Sequence, residues 1–426
     1  SGNNLIGIST VEDLSMINEN GHYVLLNDID ASTFTATIPQ FSGSLDGNGH
    51  KISGLSCPLF GVVKDATVEN LTLSDVNIIG EVNIGTNDDI KVGALAQEIA
   101  YSTIGNVIVE GKLDIIVDGT HLVGGLCGFS SRSNFSNCSF NGMLQVAPKE
   151  NVTDIESYVG GIAGSTWIQD NPGEYSKCVT SGTLVSTGSA KAFLGGITGS
   201  FTVVGWNLGS ITGCSTEMKI SGSATNEMKA GGMSARADYQ AKITECASSP
   251  TIDVTGVNDC LAGGIIGYGE LNASIDNCYV YDGSFSAKVT ANEKQSYAGS
   301  IAAFTWGSGN GIIYVNNCVA QDNLLFADCI GGVAGGSGHN SAYTNCYFVA
   351  GEGIAAFGLV SGEYVPQTNV SKKTENEILS KDQYSGWDDF EKVWNISESG
   401  LSLNIQRETV PYNIIFVVND ANLVRY

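Results

Sequence analysis

Eleven cysteines and four histidines are the residues of this 426-residue sequence most able to hold a metal or form covalent bonds. A zinc centre needs thiolates and imidazoles converging from short-spaced pairs such as Cys-x-x-Cys. No two cysteines here are closer than Cys127 and Cys138, eleven residues apart, and His22, His50, His121 and His339 are scattered. No metal or other cofactor is therefore expected. Carboxylates gathered on one face beside a Lys or Arg would suit a calcium-dependent polysaccharide lyase. Asp46 and His50 in "SLDGNGH", with Asp28 and Asp30 in "LLNDID", are the nearest approach to that. Asp-Gly-Asn-Gly is first of all a tight turn. Arg132 and Arg236 stand at different offsets from their preceding glycine pairs and form no obvious column. No Ser-His-Asp arrangement stands out, and "GSGNG" near residue 309 lacks the Lys and helix of a phosphate loop.

Aromatic residues are the stronger candidates for binding. Phe129, Trp167, Phe201, Trp206, Tyr268 and Trp306 all follow glycine pairs, in regions that read as turns. Such side chains stack on sugar rings or anchor a protein partner; their other use is to cover the gap between a strand and a longer loop. Trp167, Trp206, Tyr268 and Trp306 are taken as the candidate binding residues, on loops after the glycine pairs.

Composition limits the partners. Lys plus Arg number 20 against 44 Asp plus Glu, a net charge of −24. Nucleic acid and anionic lipid both require a basic footprint, so neither is expected. No run approaches eighteen apolar residues, which excludes a helical membrane span. The opening "SGNNLIG" has neither a charged n-region nor an apolar h-region, so an export signal is expected to be removed or never present.

What positions the aromatics is a repeat. "LVGGLCGFSS" recurs as "YVGGIAGSTW", "FLGGITGSF", "KAGGMSARA", "LAGGIIGYG", "YAGSIAAFTW" and "CIGGVAGGS", with a diverged "KVGALAQ" before them; successive copies are 31 to 36 residues apart. After each comes a second element, such as "FSNC" or "IDNC". It aligns Cys138, Cys178, Cys214, Cys246, Cys278, Cys318 and Cys346 in one column that Leu71 and Val107 continue upstream. A position taking Leu, Val or Cys is a small apolar interior position. Free buried thiols are expected there, although stacked neighbours about 4.8 Å apart would also lie within disulfide range.

Three residues before that column stands an unbroken apolar one, from Val68 to Tyr343. Both can face inward only if the chain turns between them. Six of the nine residues just before the Cys column are Asn, which tolerates the left-handed conformation and reads as a corner. The glycine pairs mark places where backbones approach closely or make room for a bulky neighbour. The unit reads as strand, turn, strand, corner, strand and variable loop.

The expectation is all-β: a right-handed parallel β-helix, a solenoid of about nine rungs with short helical or strand caps at both ends. Residues 1–37 form the N-terminal cap, where Ser9 with Glu12 starts a short helix. Residues 38–350 form the repeats. Residues 351–426 form a C-terminal capping segment, with a Thr374–Glu377 capping box, Trp387, Phe390 and Trp394 over the last rung, and a terminal strand "NIIFVVN".

"YVLLNDIDAS", "FSGSLDGNGHKISGL", "LFGVVKDATVENLTL", the glycine-pair copies and "GWDDFEKVW" resemble bacterial GLUG-motif surface proteins of the Bacteroidetes type, over roughly residues 5 to 400. The resemblance implies the same β-helix, export to the cell surface, often as a lipoprotein, and a role in adhesion. Related repeats occur in streptococcal IgA-specific metallopeptidases, whose His-Glu-x-x-His zinc motif this sequence lacks. The expected function is thus non-enzymatic binding of a host or microbial surface glycan or protein, at the outer cell surface or outside it. A carbohydrate-active enzyme, lyase or hydrolase, and a purely structural stalk are the alternatives. Two carboxylates within about 10 Å in a groove would favour the enzyme.

Overall fold

The computed structural model describes residues 5–82, 89–206, 208–387 and 389–405, with two short strands at 415–417 and 423–425. One layer shows how the sequence builds the whole. A short strand Gly209–Thr212 reaches Gly213, where the chain turns into the long strand Ser215–Gly231. A second turn at Gly231-Gly232 leads into Ser234–Tyr239, and the next layer begins at Lys242. Each strand pairs in parallel with its counterpart about one repeat away, Val179 with Ser215 and Thr198 with Ser234. Repetition gives two wholly parallel sheets, of 29 and 11 strands, closed around one continuous apolar core.

Both turns follow from residue type. All nine corner positions, Asn70, Asn106, Asn137, Lys177, Gly213, Glu245, Asn277, Asn317 and Asn345, have φ between 51° and 61°. Where Asn fills the corner its amide also links layers: Asn106 Nδ2 donates to Asn70 Oδ1 at 3.0 Å, and Asn345 to Asn317 at 2.9 Å. In the glycine pairs the two members do different work. A Cβ on Gly160 would lie 2.1 Å from the Ala163 carbonyl oxygen, because the chain doubles back there. A Cβ on the second member would meet the next layer's backbone, as at Gly161 with the Gly196 carbonyl oxygen at 2.1 Å; at Gly332 the three nearest atoms belong instead to the Phe348 ring.

The cysteine column is interior. Its seven thiols are free and fully buried, with Leu71 and Val107 in the same core. Each Sγ lies 3.4–3.8 Å from a carbonyl oxygen of the preceding layer, as Cys138 does with Ile104 and Cys346 with Val315. Burial pushes the thiols of Cys138, Cys178, Cys214, Cys278 and Cys346 well above the usual range.

The expected open solenoid of about nine rungs with caps at both ends is corrected; the all-β character stands. The strands make a closed, barrel-like parallel wall with additional strands, and its smaller sheet alone has eleven. Three of those eleven, Ile38–Phe41, Phe60–Lys64 and Phe357–Val360, lack the glycine-pair signature, so counting that signature undercounts the wall. The C-terminal helices are not an end cap either. Trp387, Phe390 and Trp394 form a separate apolar cluster against Tyr279, Val319 and Tyr347, which face outward from three successive layers. The segment is a strap along the flank.

At the other end the helix Val11–Ser15 does bury Leu14 in the core. Its capping pair is Thr10 with Asp13, one residue beyond the Ser9 and Glu12 expected, whereas the Thr374–Glu377 box is found as read. Of the terminal strand "NIIFVVN", Ile415–Val417 pairs antiparallel with Leu423–Arg425; its remaining residues, like residues 1–4 of the N-terminal segment, lie outside the described residues.

Candidate binding wall

The strands after the glycine pairs turn alternate residues inward and outward. In Thr198–Val204, Phe201 and Val203 are buried in the core, with Phe201 edge-on to Tyr175 at 6.3 Å. Ser200 and Thr202 face the other way. Register carries these outward positions through the sheet as two columns. One holds Phe129, Ser165, Ser200, Arg236, Tyr268 and Phe304; the other holds Ser131, Trp167, Thr202, Asp238, Glu270 and Trp306.

The structure therefore brings Trp167, Tyr268 and Trp306 onto one outer wall, in strands rather than loops. Trp167 is 39% exposed, and Tyr268 and Trp306 are half-buried. Phe304 stacks with Trp306 at 6.4 Å, and the two rings lean into space left by Gly336 and Gly338. Trp206 stands apart, 72% exposed in the turn beyond its strand. Phe201 is a core residue, and Phe129 lies on the wall under the Lys91 ammonium, 5.3 Å from the ring centroid.

Between the two tryptophans the wall is charged. Arg236 Nη2 donates to Glu270 Oε2 at 3.2 Å. Arg236 Nε lies 2.7 Å from Asp238 Oδ2, close enough for an ion pair but not aligned as a hydrogen bond. Asp238 is only 3% exposed, and burial pushes its carboxyl up to about 6 against the pull of Arg236. Lys229 sits 4.8 Å from the Tyr268 ring centroid and 3.2 Å from Glu227. Asp238 and Glu270 thus share the one guanidinium of Arg236.

Other sequence candidates are placed elsewhere. Asp46 Oδ1 accepts from Asn48 N and Asn70 Nδ2, which makes it a turn residue. Asp28 pairs with His50 at 3.1 Å, 57% exposed, and the Lys51 amide holds its carboxyl below the usual range. Arg132 lies over the Tyr101 ring at 5.2 Å. His121 is buried in the core, its Nε2 2.7 Å from Ser157 Oγ, and burial lowers its pKa to about 4. Among the described residues no three His, Cys, Asp or Glu side chains converge as metal ligands, and no helix is long and apolar enough to cross a membrane.

Sequence reasoning missed Arg236 as a wall residue and overlooked Asp238, Glu270 and Thr202. A usable signal was present. Measured from the first glycine of each pair, Arg236 and Tyr268 share an offset of five, while Trp167, Asp238, Glu270 and Trp306 share an offset of seven.

Comparison with known proteins finds partial similarity. Residues 11–111 match the M26 IgA1-specific metallo-endopeptidase N-terminal region. An immunoglobulin A1 protease of Streptococcus sanguinis is 39% identical over 123 residues, which are 29% of this chain and 6% of that protein. Halomucin of Haloquadratum walsbyi is 32% identical over 153 residues, 29% of this chain and 2% of that protein. A solved IgA1 protease structure overlaps 75% of this chain and 22% of its own, at 19% identity and a TM-score of 0.44. The chain thus corresponds to a small fraction of the length of these relatives. The matches name a metallo-endopeptidase region where a GLUG-motif protein was expected, and the GLUG assignment is not shown. The expectation of a protein that is no enzyme is also corrected, in that the relatives bear an enzyme's name; the family-model match itself is to an N-terminal region, over residues 11–111.

Proposed function

We propose that this chain is the recognition wall of a protease-related surface protein, and that it holds a surface glycan of host or microbial origin outside the cell. The observation that carries this reading is the meeting of Trp167, Tyr268 and Trp306 within five layers of one outer sheet, around a charged centre. Half-exposed aromatics with hydrogen-bonding groups between them are what a sugar chain needs: faces to stack on and polar atoms to orient its hydroxyls. The acid excess favours a neutral glycan over an anionic one. The relatives' name makes immunoglobulin A1 the first protein partner to try.

The test is binding of the wild-type chain and the Trp167→Ala/Trp306→Ala double variant to a glycan array and to immobilised immunoglobulin A1, with and without its glycans. Loss of binding in the double variant supports the wall. Equal binding moves the site elsewhere. Fragments of immunoglobulin A1 after incubation with the wild type would show that the chain itself cleaves.

A further inference from the structure

The charged centre of the wall holds an unpaired acceptor. Asp238 is only 3% exposed, and its Oδ1 has no hydrogen-bond partner. Leaving a buried oxygen unsatisfied is unfavourable, and such groups call for a reason. Among the described residues, the ion-paired cations around it are all engaged, Lys191 by Glu156 as well. Arg236 serves Asp238 and Glu270, and Lys229 serves Glu227 and Asp259. Cations outnumbered in this way by carboxylates do not attract an anion.

The same place offers donors on Arg236, acceptors on Glu270 and Asp238, the Thr202 hydroxyl, and tryptophans above and below along one column. Trp167 and Trp306 are four layers apart, about 19 Å at the strand spacing of a sheet. That span suits several linked rings.

We infer that Arg236, Asp238 and Glu270, between Trp167 and Trp306, form a subsite for a neutral oligosaccharide lying along the stack. The inference rests on the glycan-binding reading above and names the ligand class and its polar anchors. Hydroxyls of a central ring bond to Arg236 and Glu270, and flanking rings stack on the tryptophans. As Arg236 swings toward the sugar, it uncovers Asp238 Oδ1, which then accepts from a hydroxyl.

The experiment is calorimetric titration of the full chain with neutral gluco-, galacto- and manno-oligosaccharides, and with counterparts bearing a uronic acid. Wild type is compared with Arg236→Lys, Glu270→Gln and Trp167→Ala/Trp306→Ala, each first checked for an unchanged unfolding temperature. Arg236→Lys keeps the charge, so the buried Asp238 is not orphaned. The expected result is binding of a neutral oligosaccharide that weakens about tenfold or more in both single polar variants, as for hydrogen bonds to charged groups. Binding that fails only in the tryptophan variant, or that prefers the acidic sugars, overturns the subsite while the wall stands. Sugar binding unchanged in every variant overturns both. No response to any neutral oligosaccharide overturns the subsite, and the glycan array then decides the wall separately.

Discussion

Gly332 differs from the second glycines of the other pairs, whose nearest neighbours are backbone carbonyls, in facing a side chain, and that makes its demand measurable. Its φ is ordinary for an L-residue, so alanine there strains no backbone. The three atoms nearest a new Cβ all belong to the Phe348 ring, the closest at 2.1 Å. Gly332→Ala is therefore an overpacking change worth about 1–3 kcal/mol. Phe348 is 3% exposed, and Phe348→Ala should cost about 3–5 kcal/mol as a cavity. Together the two should not add. The neighbouring layer already holds Ser300 at the glycine position, where Ala320 stands in register with Phe348. In the double variant the new methyl enters the space the ring leaves, and the clash disappears. We expect a total loss near that of Phe348→Ala alone or below it, and a favourable coupling of about 2 kcal/mol. Urea unfolding followed by circular dichroism, with slopes compared to confirm the same transition, reads all four corners of the cycle. Losses that add within about 0.5 kcal/mol would show that the glycine is not there to admit the ring.

His121 has its folded pKa lowered from 6.5 to about 4, so the stability it contributes is complete above pH 6.5 and lost as pH falls toward 4, by about 3 kcal/mol. Asp238, raised to about 6, acts in the opposite sense over much of that range, so the measurement is the stability difference between wild type and His121→Asn, which should shrink by that amount from pH 7 to pH 4. A constant difference would mean that His121 is not held neutral. Thiol titration of the reduced native protein should find little beyond the partly exposed Cys57, and should rise toward eleven groups in denaturant; a full native count would contradict the sealed column. Removing residues 374–405 should bare Tyr279, Val319 and Tyr347 and raise dye binding and self-association, with strand content nearly intact. Wholesale loss of β circular dichroism would instead make the strap part of the stack's stability.

How far the sequence could be read depended on whether a position is repeated. The corner column was legible because left-handed backbone selects Asn strongly, and Lys177 and Glu245 adopt it too because their place in the repeat forces them. The cysteine column was legible because it also admits Leu71 and Val107. The strap was misplaced for the opposite reason. Trp387, Phe390 and Trp394 announce burial but not the surface that buries them, and Tyr279 and Tyr347 look like ordinary outward strand residues until the strap lies on them. On the wall, aromatic type alone put Trp206 beside Trp167, whereas offset from the glycine pair separates them. Asp238 and Glu270 stand 32 positions apart, and only their shared offset of seven from the glycine pairs marks them as neighbours.

The parallel register also sets how the chain would answer a pull. Hydrogen bonds between layers, such as those joining Val179–Gly195 to Ser215–Gly231, run along the stack rather than across it. Tension applied at the two ends loads them a layer at a time, so the outermost layer peels before its neighbour is strained. Successive layers are 31 to 36 residues apart, and each one freed adds up to about 120 Å of slack at the reach of an extended chain. A protein built this way on a surface under flow would lengthen in steps, at modest force, while the layers still stacked kept their wall intact.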